Sequence, residues 1–272
     1  MGQGLHTKVC QVVAQAFGVE LSKVHVRESA SDLVANSSAS AASLSTDLYG
    51  MAALDACHQI LARLEPVIAD RKANKEPCDL ASLAGAAFFR RIDLSAHGFH
   101  AVADKRCGYD WTKPQDDRGT PFNYWTQGAA VAEVEIDCLT GDHEVRRADV
   151  LVDLGCSINP SLDVGQIEGA FVQGAGWLTT EELIFAETGA QNANHAWFKA
   201  PSGTLLTAGP GNYKLPSFND APRDFRVELL DPGRATKLHG TFKVQSSFVR
   251  SVSEPGVLLN ISAKCWRISS PD

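Results

Sequence analysis

Residues 129–155 read AAVAEVEIDCLTGDHEVRRADVLVDLG, two apolar runs of strand-like period on either side of Thr140-Gly141-Asp142. Val131, Val134 and Ile136 lead into the turn, and Val145, Val150 and Val152 lead out of it. A period of two with a glycine-containing turn between the runs predicts an antiparallel hairpin over 128–154. Further along, Phe225, Val227 and Leu229 alternate with Arg226 and Glu228 and predict one more strand with a wet face.

Helical spacing surrounds these strands. Val9, Val12, Val13, Ala16 and Phe17 fall on one helix face that opens near Thr7, and Gly18 is placed to end it. Val24-His25-Val26 reads as a short strand, and residues 28–47, dense in Ser and Ala, as a loop suited to touching a ligand with its backbone. A second helix is predicted to be capped by Ser45, Thr46 or Asp47, to bury Met51, Leu54, Leu61 and Leu64, and to stop at Pro66. Residues 70–76 read as charged and exposed, and residues 79–91 as a third helix. The sum is an α+β chain, mixed sheets with packed helices.

Two further stretches ask for a ligand. Gly2-Gln3-Gly4 runs straight into the first helix, so the glycines let backbone pass close to a bound group while the opening amides face an anion. With nothing before it, this loop predicts that the chain is the second part of something larger. GQIEGAFVQGAGWLTTEE, residues 165–182, has helical spacing yet holds Gly165, Gly169, Gly174 and Gly176. Each glycine inside a helix costs about 0.5–1 kcal/mol relative to alanine. Close approach of another backbone or of a flat cofactor would account for them, with Gln173 as the polar group on that face.

Composition narrows the classes. The chain has 272 residues, 44% hydrophobic and 21% charged, enough for one large domain or two modest ones. A net charge of -7 with no basic run sets nucleic-acid binding aside. No stretch approaches the roughly eighteen apolar residues of a membrane span. Seven scattered cysteines have neither zinc nor iron–sulfur spacing and predict reduced thiols, hence the cytoplasm. The peroxisome is the alternative compartment, although Ser-Pro-Asp is not a Ser-Lys-Leu ending.

Five stretches in order, MGQGLHTK at residues 1–8, SASAASLSTDLYG at 38–50, the hairpin, GQIEGAFVQGAGW at 165–177 and TAGPGNYKLPSF at 207–218, resemble the xanthine dehydrogenase/aldehyde oxidase family of molybdenum hydroxylases. RIDLSAHGFH at residues 91–100 looks most like the plant-type xanthine dehydrogenase branch. The resemblance implies the second half of that family's molybdopterin-binding domain, partial over residues 1–255, with a divergent, truncated tail over 256–272. It also implies oxidation of hypoxanthine and xanthine to urate, in which a hydroxyl on molybdenum attacks an electron-poor ring carbon. Aldehyde oxidation is the runner-up, and a non-catalytic remnant that binds no cofactor is the alternative.

Residue by residue, the resemblance implies that Gln3 and Gly4 contact the pterin. Ala42, Ser43, Leu44 and Ser45 form the loop against pterin and metal, with Ala42 near the molybdenum through its backbone, and Gln173 is an amide partner in the glycine-rich helix. Glu254 matches the catalytic base. Its surroundings depart from the family, since Ser253 stands for a glycine and Gly256 for a proline. In the complete enzyme the resemblance implies 2Fe-2S clusters, FAD and NAD, further N-terminal portions and a homodimer. This chain alone is then expected to be inactive and to expose more apolar surface than the roughly 300–600 Å² patch of a usual monomer.

Other candidates carry plainer readings. His97 and His100 read as solvated loop histidines, because they lack a third ligand. Gly209-Pro210-Gly211 reads as a turn without the Gly-Lys-Ser/Thr ending of a phosphate loop. Asp153 and Asp163 read as turn or cap residues, and Glu181-Glu182 as a surface pair.

Overall fold

The computed structural model describes residues 2–34, 36, 39–41, 43–101, 108–119, 124–186 and 201–230. They form two compact units, one of residues 4–125 and the other of residues 2–3 with the segment from 126 onward.

The first unit is helical. α1 (Leu5–Phe17) ends where Gly18 turns left-handed at φ 65. The Gly18 amide bonds Gln15 O at 3.2 Å and the Val19 amide bonds Ala14 O at 3.0 Å, a paired closure that needs the positive φ. Val12 and Ala16 bury against Leu54 and Cys57 of α2 (Ser45–Ala73), with Val13, Phe17 and Met51 around them. Residues 24–26 are not a strand. A short 3-10 turn, Leu21–Lys23, precedes them, and among the described residues this unit offers no strand for them to pair with.

Pro66 does not stop α2, which runs on to Ala73 and so takes in the first of the residues read as charged and exposed. A proline in a helix interior costs about 3 kcal/mol. Leu64 and Val67, on either side of it, are 1% and 0% exposed, and burying such side chains contributes about 1.5–3 kcal/mol each. Packing therefore outweighs the lost hydrogen bond. α3 (Leu80–Phe89) opens on Asp79, whose carboxylate accepts the Ser82 amide at 3.0 Å, and it adds Leu83 and Ala87 to the buried residues. Arg90 ties its end to Asp70 at 2.7 Å.

Residues 93–98 lie along α2. Arg63 donates to Asp93 O, Asp93 Oδ2 and Ser95 O within 2.8 Å, and Gln59 donates to His97 O at 3.0 Å. A Cβ built on Gly98 would collide with the Ala52 carbonyl oxygen. Only glycine lets the segment come this close.

The second unit holds a mixed three-stranded sheet in the order β1-β2-β3. β1 (Gln127–Ile136) and β2 (His143–Asp153) form the predicted hairpin, antiparallel, with a bulge between Glu133 and Val134. Gly141 takes φ 82 in the turn. β3 (Asp224–Leu229) is the predicted later strand and runs parallel to β2. A parallel neighbour requires a crossover, and α4 (Pro160–Thr179) lies between the two strands in sequence. Phe171 of α4 meets Phe225 of β3 with ring centroids 5.0 Å apart. The fold is therefore α+β, as predicted.

α4 starts five residues before Gly165 and ends three before Glu182. Asn159 caps it through the Leu162 amide at 3.2 Å and Pro160 occupies its first turn, a start signal outside the glycine-rich stretch. β1 is an edge strand exposed along its whole length, with Val131 72% exposed.

Candidate functional site

Four predicted pterin contacts lie in the helical unit at two helix openings. Gly4 is the residue before α1, left-handed at φ 59, and having no side chain it makes no capping hydrogen bond. Leu44 holds the same place before α2 and has no polar group to cap with. Ser43 turns left-handed at φ 57, an uncommon state for a residue with a Cβ. Ala42 and Glu254 lie outside the described residues, so the loop is described from Ser43 onward and at 39–41.

One of Ser45, Thr46 and Asp47 is the cap expected for α2; all three lie inside the helix, and Leu44 takes the cap position. Ser45 is 4% exposed and its hydroxyl meets the Ser40 hydroxyl at 2.6 Å. Asp47 Oδ2 accepts from the Tyr124 hydroxyl at 2.6 Å. Burial of that phenol, and then the Asp47 carboxylate beside it, push its pKa well above the ordinary tyrosine range, so it stays protonated. Tyr124 was not read from the sequence, where 77 positions separate it from Asp47.

The contrast with the other helices is chemical. α3 and α4 begin on Asp79 and Asn159, side chains that accept a first-turn amide. α1 and α2 begin without a side-chain cap. A helix opening of this kind suits an external anion or carbonyl acceptor.

Gln3 and Gln173 lie in the second unit. Gly2 takes φ 66, and a Cβ built on it would sit 3.2 Å from Gln166 Nε2, so the chain passes close beside α4 just before half-buried Gln3. On α4, Gly165, Gly169 and Gln173 are exposed and recur every four residues, one stripe of the helix surface. The four glycines differ in kind. A Cβ on Gly176 would collide with the Pro216 ring, which accounts for that glycine by internal packing. A Cβ on Gly165, Gly169 or Gly174 would meet nothing within 4 Å.

Two concavities among the described residues lie elsewhere. A space of about 680 Å³ beside Gln59, Arg63, Asp93 and His97 is lined by the polar groups that already hold residues 93–98 to α2. One of about 150 Å³ lies where the end of α4 meets the sheet, at Gly176, Pro216 and Val145. None of the described site residues lines either one.

Residues 1–222 match the family described as a molybdopterin cofactor-binding domain. Xanthine dehydrogenase 1 of Arabidopsis thaliana is 52% identical over 259 residues, 95% of this chain and 17% of that relative. Xanthine dehydrogenase of Oryza sativa subsp. japonica is 53% identical over 230 residues, 85% of this chain and 16% of that relative. This chain therefore spans about a sixth of the length of those relatives. Among solved structures, quinoline 2-oxidoreductase from Pseudomonas putida 86 aligns with a TM-score of 0.62 over 85% of this chain and 28% of that one, at 21% identity, a likeness of fold.

Proposed function

The chain belongs to the molybdopterin cofactor-binding domain family, and from that membership we propose that it forms part of the wall holding a molybdenum–pterin group in a xanthine dehydrogenase-like molybdenum hydroxylase. The observation that carries the reading is the pair of helix openings at Gly4 and Leu44, the two loops singled out in the sequence, which are the two without a side-chain cap among the described α-helices. The residues fit such a group. Opening amides suit its anionic ends, and the side-chain amides of Gln3 and Gln173 offer both donor and acceptor to ring nitrogens and carbonyls. The open stripe at Gly165 and Gly169 leaves room for a flat partner.

In this reading Gln3 and Gln173 orient the pterin, and Ala42, Ser43, Leu44 and Ser45 form the loop against it. Glu254 is the proton acceptor during oxygen transfer to a purine, a role that contributes about 10²–10⁴-fold in rate. When bound, the molybdenum–pterin group would supply the redox chemistry that oxidises hypoxanthine and xanthine to urate. Electron transfer through 2Fe-2S clusters and FAD to NAD, further N-terminal portions, a homodimer and a cytoplasmic location complete the proposal.

A graft tests it. Residues 1–222 replace the matching stretch of the Arabidopsis enzyme, and metal content is measured by mass spectrometry beside xanthine-dependent dye reduction. The reading expects near-stoichiometric molybdenum in the graft and a several-fold loss of it with Gln173→Ala. A folded graft without molybdenum overturns it in favour of a remnant that binds no cofactor.

A further inference from the structure

β1 is the bare margin of the sheet. Its sequence, QGAAVAEVEI, runs for 10 residues, beyond the about five or six of a usual strand. In an antiparallel ladder every second residue turns its amide and carbonyl away from the neighbouring strand. The side of β1 opposite β2 therefore presents a row of main-chain groups, with no further strand beside it among the described residues. Exposed edges are commonly blunted by lysine, proline or a bulge in the edge itself. β1 contains no Lys, Arg or Pro. The irregularity in the hairpin falls on β2: Glu133 faces Arg147 and Val134 faces Val145, which leaves Arg146 as the extra residue and β1 unbroken.

The side chains repeat this pattern. Ala132 pairs with Ala148 and Val134 with Val145, and Val134 and Val145 line one small cavity with Ala175 and Gly176 of α4. Ala132, Val134 and Ile136 therefore stand on the face of the sheet that α4 covers. That cover reaches Ala148 of β2, which is fully buried, and stops short of β1, where Val134 and Ile136 are 50% and 62% exposed. The carboxylates of the strand alternate onto the opposite face, where Glu135 meets Arg146 at 2.8 Å, and leave this shelf apolar. A sheet face is buried by a second layer. β1 lacks two things at once, a neighbour along its edge and a cover over its face.

We infer that the β1 edge is a seam that accepts an extended strand from the remainder of a xanthine dehydrogenase-like enzyme, the about five-sixths of the relatives' length that this chain does not span. The inference rests on the reading of this chain as part of such an enzyme. A second copy fits less well. It would pair the main-chain groups but bring to the seam only its own bare β1, leaving Val134 and Ile136 of both copies without a layer over them. A larger polypeptide supplies strand and cover together.

Hydrogen exchange of the graft beside the dilute, monomeric 272-residue chain tests the seam. The β1 amides that point away from β2 are expected to exchange fast in the chain alone and to slow about tenfold or more in the graft, as backbone bonds to an added strand require. Amides bonded to β2 are protected in both. The shelf has its own test in Ile136→Lys, which should leave the urea midpoint of the chain alone unchanged and lower the yield of soluble graft several-fold. Outward amides that stay fast in a folded graft, or that are already protected in the dilute monomer, overturn the inference, as does a graft that tolerates Ile136→Lys. Protection that rises with chain concentration and is absent from the graft overturns it in favour of a second copy. Should the graft not fold, the Arabidopsis enzyme itself is read at the amides aligned with β1, with the same expected protection and the same overturning result. A folded graft with the added protection but no molybdenum overturns the cofactor reading and leaves the seam standing.

Discussion

Gly176 and Gly169 sit seven positions apart on one helix and answer alanine in opposite ways. At Gly176 the added methyl meets the Pro216 ring, and overpacking of that kind costs about 1–3 kcal/mol. At Gly169 it meets open space, so helix propensity alone acts and the chain gains about 0.5–1 kcal/mol. Urea midpoints of the two variants give the signs, and equal destabilisation by both would refute the distinction. In the graft the expected price of the Gly169→Ala gain is a lowered molybdenum content. Cysteines separate in a similar way. Cys57 is 3% exposed and burial pushes its thiol up to about 11, whereas Cys138 is exposed. Only a thiolate reacts readily. Timed alkylation of the native chain should label Cys138 well before Cys57 and leave Cys57 until urea unfolds α2; early labelling of Cys57 would show that the α1–α2 core opens.

Elements were legible where a local pattern had no rival. The hairpin was, because alternation and the Thr140-Gly141-Asp142 turn agree, and so was the end of α1, because Gly18 alone fits its left-handed position. Pro66 misled, since its cost is local and its compensation, the burial of Leu64 and Val67, is tertiary. Pro66→Ala should therefore stabilise the chain by about 2 kcal/mol, the helix-interior penalty less the loss of proline's restraint on the unfolded chain. A lowered thermal midpoint would show that the proline is needed for the course of α2. Val24-His25-Val26 failed for the converse reason, a strand pattern with no neighbouring strand among the described residues. Of the proposed contacts, Gln3 and Gly4 could be singled out because glycines at a helix start are visible in one dimension, whereas Ser43 and Leu44 entered only through the family resemblance. Tyr124 could not, because its pairing with Asp47 exists only once residues 124 and 47 have folded together.

At the scale of the whole molecule, charge and apolar surface set the behaviour in solution. Asp79, Asp93, Asp110, Asp137 and Asp149 are all held below the ordinary aspartate range. Hydrogen bonds from Ser82, Ser95, Thr112 and the Leu139 amide lead for the first four, and the Arg147 guanidinium leads for Asp149. Groups with depressed folded values add stability that is complete above their unfolded value, about 3.9, and that disappears as pH falls through the lowered folded values. The thermal midpoint should thus be flat toward neutrality and fall below about pH 4, with Asp79→Ala flattening that fall. The exposed surface works in the other direction. β1 is uncovered along its length, and Trp177, Leu178, Trp111 and Phe89 are each at least three-quarters exposed. An exposed apolar edge strand pairs with whatever reaches it, so the chain alone is expected to self-associate at micromolar concentration, to bind a hydrophobic dye strongly and to retain no molybdenum. Light scattering coupled to size exclusion, dye fluorescence and metal analysis of one preparation test all three. A monomer with weak dye binding would mean that the chain covers these surfaces itself, and stoichiometric molybdenum in that monomer would mean that residues 1–272 complete the pterin wall unaided.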